Sequence, residues 1–182
     1  MPAASAPITS AVTLRPVAPA DEAMIEAWIG QSDIQRWWGD AASAFAEVRL
    51  ALCSPSAICR VIRVGDRPAG YAHAIDAALW GSELPQGLPP GTWDLDLFIA
   101  EASLRGKGAG ETALHLLIDE VFSTTLAVAV SVFTSVRNET AVRVFEKAGF
   151  RWVRILEDPI FGPMWMMLRE RNGASAGQRG RA

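Results

Sequence analysis

The 182-residue chain is short of several things, and each shortage removes a class of protein. Its two cysteines, Cys53 and Cys59, form no CxxC or Cys/His grouping, so neither a disulfide framework nor a metal site is expected, and both are read as free thiols. Nowhere do about 18 apolar residues run together. The opening MPAASAPITS has neither a basic segment nor an apolar stretch of signal-peptide length. No membrane association is therefore expected, and the cytoplasm is the expected compartment. Basic residues do not outnumber acidic ones: 17 against 20 leave a net charge of −3, too little to draw the chain onto nucleic acid or an anionic bilayer. Internal repeats are absent, and there is one tyrosine against seven tryptophans.

What remains is ordinary for one soluble domain: half of the residues are apolar and 20% are charged. The charge is uneven. Arg169, Arg171, Arg179 and Arg181 stand against Glu170 alone, so the first 168 residues carry −6, which favours a cationic partner. Residues 1–10 and 170–182 lack apolar periodicity and are expected to be flexible tails around a single domain at 11–169.

Hydrophobic periodicity divides that domain into alternating elements. A strand near Val12 and Leu14 precedes a helix opened by Pro19, with Met24, Ile25, Trp28 and Ile29 on one face. Residues 33–39 (DIQRWWG) are expected to connect it to a second helix at 41–52. Strands at 57–64 and 69–76 flank Gly65-Asp66-Arg67-Pro68, a hairpin signal. Six of the twelve residues 81–92 are Gly or Pro, which marks a loop and a candidate lid. Residues 93–100 read as a strand with Trp93, Leu95 and Leu97 on one face and Asp94, Asp96 and Phe98 on the other. A helix at about 110–122, a buried strand at 126–133, a helix capped by Asn138 and stopped by Gly149, and strands at 150–156 and 164–168 complete an α/β (α+β) pattern.

The chemistry-bearing segment is Arg105-Gly106-Lys107-Gly108-Ala109-Gly110, between a strand and a helix. Alternate glycines let the backbone turn sharply and aim successive N–H groups into one concavity, and the following helix adds its positive dipole end. This pattern suits a phosphate. It has no GK[ST] and no Rossmann spacing, so nucleotide hydrolysis and hydride transfer are disfavoured.

That segment, with VRNETAVRVFEKAGFRWV at 136–153, resembles the GCN5-related N-acetyltransferases. The likeness runs over about residues 12–168 and is strongest to the aminoglycoside 6′-N-acetyltransferase branch, through QRWWGD, DRPAGYAHA, the Asp96 strand and GPMWMM. The resemblance implies a mixed, mostly antiparallel sheet that splays between the Trp93 and Leu126 strands, with acetyl-CoA as co-substrate in the split. It assigns the pyrophosphate to Arg105, Gly106, Lys107, Gly108, Ala109 and Gly110. The acetyl carbonyl falls to the main chain at Phe98, Ile99 and Ala100, and the pantetheine arm to Asn138 and Phe145. The acceptor is expected among Trp37, Trp38, Asp94, Asp96 and Phe133, with Trp93 close by, and Trp152 and Trp165 in the core.

An alkyl ammonium with a pKa near 10.4 must lose a proton before it attacks, and Asp96 stands where relatives place an acid proposed as that base. Two departures follow from the same comparison. Phe145 occupies the place of a tyrosine that can protonate the departing thiolate, and Phe133 a place that is acidic in antibiotic-modifying relatives. The expected activity is acetyl transfer to a primary amine of a small cationic molecule, by a monomer or homodimer. A peptide, polyamine or siderophore-type amine, or a weakly catalytic acyl-CoA sensor, are the alternatives.

Overall fold

Period-two and period-3.6 stretches alternate along the chain, so the strands gather into one sheet and the helices cover its faces. A computed structural model of the protein describes residues 10–79 and 84–171. Strands β1 (Val12–Pro16), β2 (Ala57–Val64), β3 (Arg67–Asp76), β4 (Thr92–Ile99), β5 (Ala129–Ser135), β6 (Arg151–Asp158) and β7 (Gly162–Glu170) form a sheet ordered β1-β2-β3-β4-β5-β7-β6. Every neighbouring pair is antiparallel except β4 with β5. Those two pair only at Thr92–Ala129, Trp93–Val130 and Asp94–Ser131, then part, so the splay lies where the resemblance implied.

Helices α4 (Ala109–Thr124) and α5 (Glu139–Lys147) cover one face. Leu114, Leu117, Ile118 and Val121 of α4 meet Leu95, Val130, Val132 and Met167 of the sheet in the larger core. On the other face lie α1 (Glu22–Ile29), α2 (Ser32–Trp38) and α3 (Ala41–Cys53). Their Ile25, Ile29, Ile34 and Val48 pack on Cys59, Tyr71 and Phe98. Asp40 caps α3 by accepting from the Ser43 N–H at 3.0 Å, and Asn138 caps α5 by accepting from the Ala141 N–H at 3.2 Å. Both cysteines are free, Cys53 exposed and Cys59 buried.

Several expectations change. Residues 33–39 are not a connector, because Ser32–Trp38 make the two-turn helix α2, too short to show a periodic stripe. The buried strand starts at Ala129, not at Leu126, whose side chain is 96% exposed. Trp152 is no core residue: it sits on the edge strand β6, 42% exposed, with its ring 4.2 Å from that of Trp165. The described part of the glycine- and proline-rich loop packs Leu84 and Leu88 against Ala129, Met166 and Leu168 and does not line the cleft described below. Strand β7 continues through Glu170, and the Arg171 guanidinium donates to the Ala127 carbonyl at 2.7 Å. Residues 170 and 171, expected in the C-terminal tail, are thus part of the folded domain. The flanks 1–9 and 172–182, with residues 80–83, lie outside the described residues.

Candidate active site

Where β4 and β5 diverge, the sheet opens into a cleft of about 1480 Å³, walled by α2, α3, β4, the 105–110 loop, α5 and the β6–β7 hairpin. One end is the glycine cradle. Gly106 and Gly108 adopt φ values of +69° and +91°, which a residue with a Cβ rarely does, and a Cβ at either position would meet nothing within 4 Å. No packing fills the space beside either glycine. Gly108 is the N-cap of α4, and the first N–H to donate back is that of Thr112, to the Gly108 carbonyl at 3.0 Å. The amides of Ala109, Gly110 and Glu111 therefore precede the helical ladder and are available to anionic oxygens.

Arg105 leads this loop, and each nitrogen of its guanidinium donates one hydrogen bond to protein. Nε donates to the Ile99 carbonyl at 2.8 Å, one terminal nitrogen to the Ala100 carbonyl at 3.0 Å, and the other to the Asp33 carboxylate at 2.6 Å. On α5, Arg143 and Lys147 line the cleft, Arg143 paired with Glu139 at 3.0 Å and Lys147 with Glu111 at 3.7 Å.

The other end is aromatic and acidic. Trp37 and Trp38 reach it from α2. The Trp38 ring stands edge-on to Phe98 at 4.9 Å, His73 at 6.1 Å and Tyr71 at 6.3 Å, which fixes its plane. Asp96 lies on the floor, directly opposite His73 on β3. Its carboxylate accepts from the Leu97 N–H at 2.8 Å. Burial, then the charge of Asp94, hold Asp96 well above the ordinary carboxylate range. Asp94 accepts from the Ser131 hydroxyl at 3.0 Å and is pushed up to about 7, chiefly by burial. Burial lowers His73 to about 4, so its ring is neutral at pH 7.

Two further acids complete the acidic end. Glu47 faces the cleft from α3 and is raised by burial and by Asp158. Asp158 is held in the β6–β7 turn, where it accepts from the Ile160 and Phe161 amides, each at 2.8 Å.

Of the residues expected from sequence, Trp37, Trp38, Asp96, Phe98, Ile99, Arg105, Gly106, Gly108, Gly110, Phe133, Asn138 and Phe145 all line this cleft. Asp94 sits behind Asp96 without lining it, and Ala100 and Ala109 are buried, 4% and 1% exposed. Lys107 lies in the loop but does not line the cleft. Trp93 is misplaced by the sequence reading: it points to the opposite face of β4 and packs on the α4 core. Sequence reasoning missed Glu47, Arg143 and Lys147. Glu47 follows Ala44 and precedes Val48 on the apolar stripe of α3, and nothing along the sequence separates such a residue from a solvated one.

Among proteins of known family, a model described as an acetyltransferase (GNAT) domain matches residues 18–157. The aminoglycoside N(6′)-acetyltransferase type 1 of Klebsiella pneumoniae is 30% identical over 172 residues, 88% of this chain and 83% of that protein. The crystal structure of aminoglycoside acetyltransferase AAC(6′)-Ib in complex with coenzyme A and kanamycin superposes with a TM-score of 0.74 at 28% identity, covering 88% of this chain and 95% of the other. AAC(6′)-Ib with ribostamycin and coenzyme A gives 0.74 at 28% identity, over 94% and 99%.

Proposed function

On the premise that this chain belongs to the acetyltransferase (GNAT) family, we propose that it moves an acetyl group from acetyl-CoA to a primary amine of a small, multiply cationic acceptor of the aminoglycoside type. The observation that carries the choice of acceptor is the acidic end of the cleft: Glu47, Asp96 and Asp158 converge beside two tryptophans, a surface that attracts ammonium groups and stacks on a ring.

The residues fit acetyl-CoA as substrate. The open 106–110 backbone and the first amides of α4 take the pyrophosphate, and the free stretch of β4 at Phe98–Ile99 offers main-chain groups to the thioester arm. Asn138 and Phe145 flank that arm from α5.

Asp96 takes the proton of the acceptor ammonium, directly or through one water. The neutral amine nitrogen then bonds to the thioester carbonyl carbon, the carbon–sulfur bond breaks with its electron pair on sulfur, and the nitrogen, still carrying one proton too many, passes it to the thiolate or to water to leave the neutral amide. A raised carboxylate is suited to that work, because its basicity is closer to that of the amine it must relieve. Phe145 has no proton to give, and a thiol with a pKa near 8.5 leaves as thiolate without one. Asp94 sustains the basicity of Asp96 by its charge, and Phe133 gives the acceptor an apolar wall.

The test is coenzyme A thiol release with a panel of aminoglycosides, polyamines and peptides. Release with aminoglycosides alone is expected, and Asp96→Asn should lower kcat about 100-fold or more with coenzyme A binding retained. Release with a polyamine or peptide alone would replace the acceptor. Tight coenzyme A binding without release under any acceptor would make the chain a sensor.

A further inference from the structure

We infer that Arg105 acts as a brace: through Asp33 it ties the glycine cradle to the helix that carries Trp37 and Trp38, so that loading the co-substrate orders the acceptor wall. The inference rests on the acetyltransferase reading and adds a coupling to it. A phosphate-binding arginine presents its N–H fork to the ligand. Here each of the three nitrogens already donates once to protein, two to the last carbonyls of the free stretch of β4 and its exit, Ile99 and Ala100, and one to Asp33 in the first turn of α2, which fixes the plane of the fork. The Arg105 main-chain N–H is also used, on the Ala102 carbonyl at 3.2 Å.

Asp33 lies one turn before Trp37, and its carboxyl is held below the ordinary range by the Arg105 hydrogen bond. Helix α2 is only seven residues long, and Gly39 ends it at φ +81°. So short a helix has little stability of its own, and its orientation rests on the packing of Ile34 and Trp38 at one side and on the Asp33–Arg105 tie at the other. Arg105 connects it to the loop whose amides would close on a pyrophosphate. Ligand at one end of the cleft is thereby felt at the tryptophans of the other, which makes co-substrate and acceptor bind with positive coupling.

Asp33→Asn tests this without touching the cradle. Coenzyme A should slow amide hydrogen exchange across residues 32–38 in the wild type, and that protection should largely vanish in Asp33→Asn while coenzyme A affinity changes less than about twofold. With kanamycin as acceptor, Asp33→Asn should raise the acceptor KM about three- to fivefold, the range expected of one exposed ion pair, with kcat nearly unchanged. Asp33→Glu, which keeps the carboxylate, should restore most of both effects. Equal protection of α2 in Asp33→Asn, or tighter coenzyme A binding by a released Arg105, would overturn the brace. If kanamycin is not acetylated at all, the choice of acceptor fails, while the exchange measurement still decides the coupling.

Discussion

Asp94 lies beside Asp96 on β4 without lining the cleft. Its charge is the second cause, after burial, of the raised state of Asp96. Asp96 must be deprotonated to act, so the acid limb of kcat/KM for the acceptor should lie well above the ordinary carboxylate range. Asp94→Asn should move that limb to lower pH, and a pH–rate profile of the two proteins measures the displacement. The same substitution bears on stability. Asp94 is held at about 7 in the fold against about 3.9 in the unfolded chain. Between those values the folded state binds more protons, so stability falls as pH rises from about 4 to about 7. Asparagine lacks this titration and can still accept from Ser131, so Asp94→Asn should melt a few degrees above the wild type at pH 8, with the gap closing towards pH 4. The two carboxylates were legible as a pair from strict alternation along β4. Their unequal surroundings were not, because burial is set by strands and helices far away in sequence.

Among the elements, the edge of β3 against β4 has the least tolerance. Gly70 faces the Phe98–Ile99 stretch so closely that a Cβ would stand 2.1 Å from the Phe98 carbonyl oxygen and 3.1 Å from Ile99 Cα. Both are backbone, so the only relief is to part the strands. Gly70→Ala should therefore destabilise by about 3 kcal/mol, seen in chemical denaturation, and raise the KM for acetyl-CoA, since the displaced segment is the one offered to the thioester arm. The strands and the long helices were readable because each carries a full hydrophobic period and a cap or turn residue. Helix α2 was not: seven residues give under two turns, and its two tryptophans look like a loop until Tyr71, His73 and Phe98 are seen beneath Trp38. Trp93 and Trp152 misled for a related reason, since aromatic character does not reveal which face of a sheet is covered.

Over the whole molecule, a net charge of −3 hides the sorting that the fold performs. Chain segments remote from each other bring Glu47, Asp96 and Asp158 together in the cleft, while Arg143 and Lys147 on α5 are paired with Glu139 and Glu111. A polycationic acceptor is thus drawn to those acids, and salt weakens that pull as the screening length shrinks below about 10 Å. Raising ionic strength from about 0.02 to 0.5 M should increase the acceptor KM several-fold at nearly constant kcat. The dependence should be steeper for acceptors with more amines, and a flat response across such a series would refute the steering. The parting of β4 and β5 has one more effect. A sheet whose seam holds for only three residue pairs before it opens is completed by whatever lies in the gap. A metabolite bound there at 100 times its dissociation constant adds about 2.7 kcal/mol to the fold. The persistence of this protein against proteases should then follow the acetyl-CoA level of the cell, so that a starved cell clears it faster than a fed one.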